Sequence, residues 1–127
     1  MRRDNEKPGT ELTAPHRKLV EIIHQIGFEV LAEYSVGPYM LDCYLPEFHI
    51  GIEADGPGHS RVHDEKRDGQ IHDLYGIPVM RLASVVIELS PSTTRQNIVD
   101  FAGDFLDSVA ERREIAKQYE RTHDDYR

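Results

Sequence analysis

The sequence predicts an α/β domain built on a central mixed β-sheet flanked by helices. Three observations predict it. Apolar residues recur at helical spacing near both ends of the chain, three short strand-like segments separated by turns fill residues 28–55, and the elements follow the order α-β-β-β-α-β-α. The 127 residues suffice for one compact domain and are too few for two, and a hydrophobic fraction of 39% supports a modest core.

Residues 1–12 are polar and read as a mobile lead-in, broken by Pro8-Gly9. Thr13 suits an N-cap and Ala14-Pro15 a first helical turn; Leu19, Ile22, Ile23 and Ile26 then form one apolar stripe, which Gly27 closes. Phe28, Val30 and Ala32 alternate with Glu29, Leu31 and Glu33, predicting a strand that ends near Tyr34 before a turn at Val36-Gly37-Pro38. Tyr39 to Leu45 and Phe48 to Asp55 read as the second and third strands, joined at Pro46-Glu47. In the third, Phe48, Ile50, Ile52 and Ala54 face one way, and His49, Gly51, Glu53 and Asp55 the other. Gly56-Pro57-Gly58 breaks that strand, and a helix follows from about Arg61 to Tyr75, weakened by Gly69 and ended by Gly76.

Ile77 to Leu82 is a fourth, short strand, with Pro78 near its start. Residues 83–90 fit either strand or helix. A last helix begins at Thr93 or Thr94 and carries a core stripe of Ile98, Phe101, Ala102, Phe105, Leu106 and Val109. The domain is thus expected over 13–110, with 111–127 a charged, exposed helical extension that frays.

Composition narrows the function. Lys and Arg number 15 against 23 Asp and Glu, a formal charge of −8, whereas a protein held to nucleic acid by phosphate neutralisation is usually basic. Either nucleic acid is not the partner, or the acids gather where a cation offsets them. Cys43 is the single cysteine, which excludes an internal disulfide and a CxxC zinc site; His59, His63 and His72 lack the spacing of a familiar zinc site. No apolar run reaches the roughly 20 residues of a membrane span, and the start has no apolar signal core, so a cytoplasmic location is expected.

Chemistry concentrates between Asp42 and Asp68. Asp42 interrupts the apolar run Met40-Leu41-Asp42-Cys43-Tyr44-Leu45, and a buried unpaired charge costs several kcal/mol. Glu53 and Asp55 share a face of the next strand. Pairing through the Pro46-Glu47 turn brings Asp42 across from them, so three carboxylates converge. Such a cluster repels itself unless a hard divalent cation takes its oxygens as ligands, and Mg²⁺ or Mn²⁺ there suits phosphodiester hydrolysis. The competing reading makes Glu53 and Asp55 the solvent side of an edge strand. His59, just past the glycines, suits proton transfer with water or a leaving group, or equally a loop hydrogen bond. Asp64, Arg67, Asp68 and Ile71 share a helix face; Arg67 can contact a phosphate or orient a carboxylate, although the spacing equally fits a solvated face.

Taken together, Tyr39-Met40-Leu41-Asp42, Ile52-Glu53-Ala54-Asp55-Gly56-Pro57-Gly58-His59, Asp64…Arg67-Asp68 and Leu74-Tyr75-Gly76-Ile77-Pro78-Val79-Met80-Arg81-Leu82 resemble the small proteins related to the very-short-patch-repair endonuclease. Those belong to the PD-(D/E)XK, restriction-endonuclease-like superfamily. The segment Ile52 to His59 is also similar to the RAP domain, an RNA-associated relative. The resemblance spans about residues 13–110. It implies a restriction-endonuclease-like core and a metal-dependent nuclease site, with Asp42, Glu53 and Asp55 at the metal, His59 as base and Arg67 near the phosphate. Asp55 stands where many members carry lysine and the repair enzyme histidine, so His59 is the candidate to replace it. Glu21 is the match to the superfamily's first-helix glutamate, although close relatives place theirs nearer His16; Asp64 and Asp68 are accessory candidates. The repair enzyme's zinc-binding cysteines are missing here, so its zinc is not carried over.

The expectation is a Mg²⁺- or Mn²⁺-dependent DNA endonuclease, structure-specific or nicking, acting alone, as a homodimer or with a recruiting protein. The alternative is a non-catalytic RAP-like module that binds RNA, and a weaker third is a protein-interaction domain docking through 111–127.

Overall fold

The computed structural model describes residues 12–58 and 60–124; the expected lead-in up to residue 11, His59 and residues 125–127 lie outside it. Four strands form one sheet in the order β1-β2-β3-β4. β1 (Leu31–Val36), β2 (Tyr39–Leu45) and β3 (Ile50–Asp55) make an antiparallel meander. Helix α2 (Arg61–Tyr75) then carries the chain over to β4 (Val79–Ala83), which lies parallel to β3. Around these stand α1 (Ala14–Ile26), α3 (Ser84–Leu89), α4 (Pro91–Asp104), a 3₁₀ turn over Leu106–Ser108, and α5 (Val109–Asp124). The α/β architecture with a mixed sheet between helices matches the expectation.

Two apolar clusters sit on the two faces of the sheet. Leu19, Ile22 and Ile23 of α1 pack with Cys43, Leu45, Ile50, Ile52, Leu82, and with Ile87 and Ile98 of α3 and α4. Val36, Leu41, Tyr44, Ile71, Tyr75 and Ile77 form the other, against which Ala116 and Tyr119 of α5 pack. Helix α1 is capped as its sequence suggests: the Thr13 hydroxyl accepts from His16 N–H at 3.4 Å, and Gly27 ends it at φ +101°.

Several expected boundaries move, each for a local reason. The first strand begins at Leu31, not Phe28, because Glu29 N–H donates to Glu47 Oε1 at 2.9 Å and Phe28 packs on Phe48 with ring centres 4.7 Å apart. The third begins at Ile50, not Phe48: His49 N–H bonds Leu45 O at 2.8 Å in a turn with His49 at φ +54°. The fourth strand starts at Val79, two residues late. The ambiguous 83–90 segment is helix α3. Helix α4 starts at Pro91, an apt first-turn residue, and stops at Asp104; the 3₁₀ turn then rotates Leu106 out of the expected core stripe, leaving it 55% exposed. The tail is more than an exposed extension, since α5 packs on α2 and buries Arg112.

Arg112 is the polar pin of this packing. Its Nη1 donates to His49 O (2.5 Å) and Gly76 O (3.0 Å), its Nη2 to Phe48 O and Phe105 O (both 2.8 Å), and its Nε to Ser108 Oγ (2.8 Å). The pinned turn is also held from within, because His49 Nε2–H donates to Tyr75 O at 2.8 Å, leaving Nδ1 to accept from Tyr44 O–H at 2.6 Å. Burial lowers the pKa of His49, which favours its neutral form.

Candidate active site

The β2–β3 ladder pairs Leu45 with Ile50, Tyr44 with Gly51 and Cys43 with Ile52, and one further step would set Asp42 opposite Glu53. There the backbone ladder stops and two carboxylates take over. Asp42 N–H donates to Glu53 Oε2 at 2.7 Å, and Ala54 N–H donates to Asp42 Oδ2 at 2.8 Å. The strands thus splay at a point where each acid satisfies a backbone donor of the other strand, which is why charges are tolerated in an apolar run.

The same point breaks the strand's regular alternation. Leu41 belongs to the cluster under α2, whereas Cys43 and Leu45 belong to the cluster under α1, although i and i+2 share a face in a regular strand. Across the sheet Glu33 takes φ +51°, and no Glu33–Asp42 pair forms between Ala32–Cys43 and Tyr34–Leu41. His16, buried on α1, supports the kink by donating from Nε2 to Asp42 O at 2.7 Å.

Glu53 is 7% exposed. Burial, and then the Asp42 charge, push its pKa up to about 7, against the pull of the Asp42 amide and of Arg67 and Arg81. Two arginines face it. Arg67 Nη1 lies 3.6 Å from Glu53 Oε1 and 3.3 Å from Asp68 Oδ1, while its Nη2 donates to Met40 O and its guanidinium stands 5.9 Å from the Tyr39 ring centre. Arg81 is carried to the site by the parallel ladder, which pairs it directly with Glu53. It grips Asp68 with two bonds, Nε to Oδ2 at 2.8 Å and Nη2 to Oδ1 at 2.9 Å. Its Nη1 lies 3.1 Å from Asp55 Oδ1, 3.6 Å from Asp64 Oδ2 and 3.9 Å from Glu53 Oε1. Asp68, by its hydrogen bonds, raises the pKa of an already permanent cation.

The structure therefore brings Asp42, Glu53 and Arg67 together, and gathers Asp55, Asp64 and Asp68 around Arg81. In place of three carboxylates around one point, Asp42 and Glu53 are bonded to each other's strands and Asp55 is paired with Arg81 at 3.1 Å; among the described residues, no three His, Cys, Asp or Glu side chains meet in a metal-holding group. Glu21 is exposed on α1 and pairs with Lys18 at 3.3 Å, whereas His16, five residues earlier, touches Asp42. His59 lies outside the described residues. A cleft of about 420 Å³ opens beside Arg81, lined by Asp55, Gly56, Gly58, Arg61, Asp64 and Asp68 among others. A larger groove of about 740 Å³ runs along Arg17, Lys18, Val20 and Glu21, where none of the Asp42–Glu53 chemistry lies.

The sequence reading missed Arg81 as a site residue. Its signal was of the same kind as that of Asp42: a charge inside the apolar run Val79-Met80-Arg81-Leu82.

No family model matches this chain, and no curated protein matches it. Among solved structures it is similar to "Homing Endonuclease I-Bth0305I Catalytic Domain", with a TM-score of 0.62 and 20% identity over 75% of this chain and 99% of that one. The mixed sheet with flanking helices is thus a fold shared with an endonuclease catalytic domain. Among the described residues, no helix is long and apolar enough to cross a membrane.

Proposed function

We propose that this chain is a divalent-metal-dependent endonuclease that hydrolyses DNA phosphodiester bonds, with Asp42 and Glu53 as the metal-holding pair. The observation that carries the reading is the splayed pair itself: two acids cross-bonded to each other's strands, one of them pushed up to about 7, on the fold of an endonuclease domain. The donor set fits Mg²⁺ or Mn²⁺. Mg²⁺ is commonly held by one or two carboxylates together with waters and substrate phosphate, and a cation offsets both the burial and the Asp42 charge that raise the pKa of Glu53.

When bound, the ion supplies a Lewis acid for the scissile phosphate and a more acidic water. The protein's own part is positional. Asp42 and Glu53 are fixed by Ala54 N–H and Asp42 N–H, His16 holds the Asp42 backbone, and Arg67, placed against Tyr39 and Met40, is the cation for a phosphate oxygen. His59 is the proton acceptor in this reading, on the strength of the sequence resemblance. The resemblance to patch-repair-type nucleases supports DNA over RNA. The formal charge of −8 supports a selective enzyme, nicking or structure-specific, recruited by a partner or a second copy, over an indiscriminate binder.

Incubation of the full chain with duplex, nicked, branched and single-stranded DNA in Mg²⁺ or Mn²⁺, beside Asp42→Asn, tests this. Cleavage of at least one form by the parent and none by the variant is expected. Binding of nucleic acid with no cleavage of any form refutes the reading in favour of a RAP-like module.

A further inference from the structure

The acids of β2, β3 and α2 lie at different distances from one side chain, Arg81, which holds Asp55, Asp64 and Asp68 more closely than Glu53. We infer that Arg81 is a built-in cation that claims Asp55, Asp64 and Asp68 and so limits the site to one divalent ion, held by Asp42 and Glu53; this rests on the metal-dependent reading above.

A second hard cation needs carboxylate oxygens at about 2.0–2.6 Å, and the oxygens available to it are those around Arg81. Asp68 presents both of its oxygens to the guanidinium, at 2.8 and 2.9 Å. Asp55 and Asp64 lie 3.1 and 3.6 Å from the same Nη1. An arginine does not vacate such a place by losing a proton, and this one cannot swing away readily: its side chain is 15% exposed, and its backbone is locked in the parallel ladder opposite Glu53. Glu53 is the acid Arg81 holds least, at 3.9 Å, and among the described residues Asp42 has no ion pair with it, so the Asp42–Glu53 pair, with Arg67 3.6 Å from Glu53, is the point where Arg81 competes least with an ion. Arg81 thus acts as a positioning residue, supplying fixed positive charge where a second ion would otherwise stand.

Counting bound Mn²⁺ by loss of the free-ion EPR signal, in the full chain without DNA, tests the inference. The parent is expected to bind one ion. Asp42→Asn weakens binding about a hundredfold. Asp55→Asn changes it by no more than about fivefold, the size of a lost partly exposed ion pair. Arg81→Met, checked for folding by circular dichroism, gains a second ion; if it does not fold, the Asp55→Asn comparison decides. Two ions in the parent, a folded Arg81→Met that still binds one, or a loss of tenfold or more on Asp55→Asn overturns the role given to Arg81. No ion in the parent, with Asp42→Asn and Asp55→Asn alike indistinguishable from it, refutes the metal-dependent reading itself.

Discussion

Replacing Glu53 by Gln should make this protein more stable at alkaline pH while disabling its site. In the fold the Glu53 proton is held to about 7, against an ordinary 4.5, first because the side chain is buried and then because Asp42 is charged beside it. A carboxyl whose folded pKa is raised binds its proton more tightly in the native state than in the unfolded chain. Its ionisation therefore removes stability progressively as pH rises from about 4.5 to about 7, and above 7 the penalty is present in full. At 1.36 kcal/mol per pKa unit, the interval amounts to roughly 3 kcal/mol. Gln keeps the shape and can accept from Asp42 N–H through its amide oxygen, as Glu53 Oε2 does at 2.7 Å. It loses only the longer attractions to Arg67 at 3.6 Å and Arg81 at 3.9 Å, whose effect is already contained in the net shift. Urea unfolding followed by circular dichroism, in chelator, should find Glu53→Gln more stable than the parent by about 2–3 kcal/mol at pH 8 and nearly equal to it at pH 4.5. A variant destabilised by the same amount at both pH values would show that Glu53 is an ordinary structural carboxylate and refute the reasoning.

Other perturbations test the frame that holds the site. Arg112→Met removes five hydrogen bonds and strands buried carbonyls of His49 and Gly76; a loss of about 3–5 kcal/mol in urea unfolding is expected. Gly76 sits at φ +69°, and a Cβ there would lie 2.2 Å from Arg112 O, so Gly76→Ala should cost at least about 2 kcal/mol. His49 supplies the opposite pH slope to Glu53. Its pKa is lowered below 6.5 by burial, so the unfolded chain takes up the proton first and stability falls as pH drops below about 6.5; His49→Phe should flatten that acid limb in a pH series of thermal melts.

How legible the molecule was depended on whether a feature is local. Helix α1 was readable because Thr13, Pro15 and Gly27 each act within one turn. The Asp42–Glu53 pairing was readable because a tight hairpin fixes register, so an eleven-residue separation becomes adjacency across two strands. Arg81 was not, because its neighbours are set by a parallel pairing reached through a fifteen-residue helix, and no local pattern specifies that register. The Asp55–Arg81 pair was unreadable for the same reason: Asp55 shares the strand face of Glu53, but this partner comes from β4. Leu106 follows a helical period that the chain abandons at Asp104, and Arg112 sits in a stretch whose charge resembles a solvated surface, although five acceptors receive it inside the fold.

The most direct test of the central claim is the titration of the Glu53 side-chain carboxyl, followed by carbon NMR with and without Mg²⁺. Without the ion the resonance should move with a midpoint near 7, and with saturating Mg²⁺ that midpoint should fall by more than about one unit, because the ion competes with the proton for the same oxygens. A midpoint near 4.5 that Mg²⁺ leaves in place would contradict the claim that Asp42 and Glu53 form a pair poised for a divalent cation.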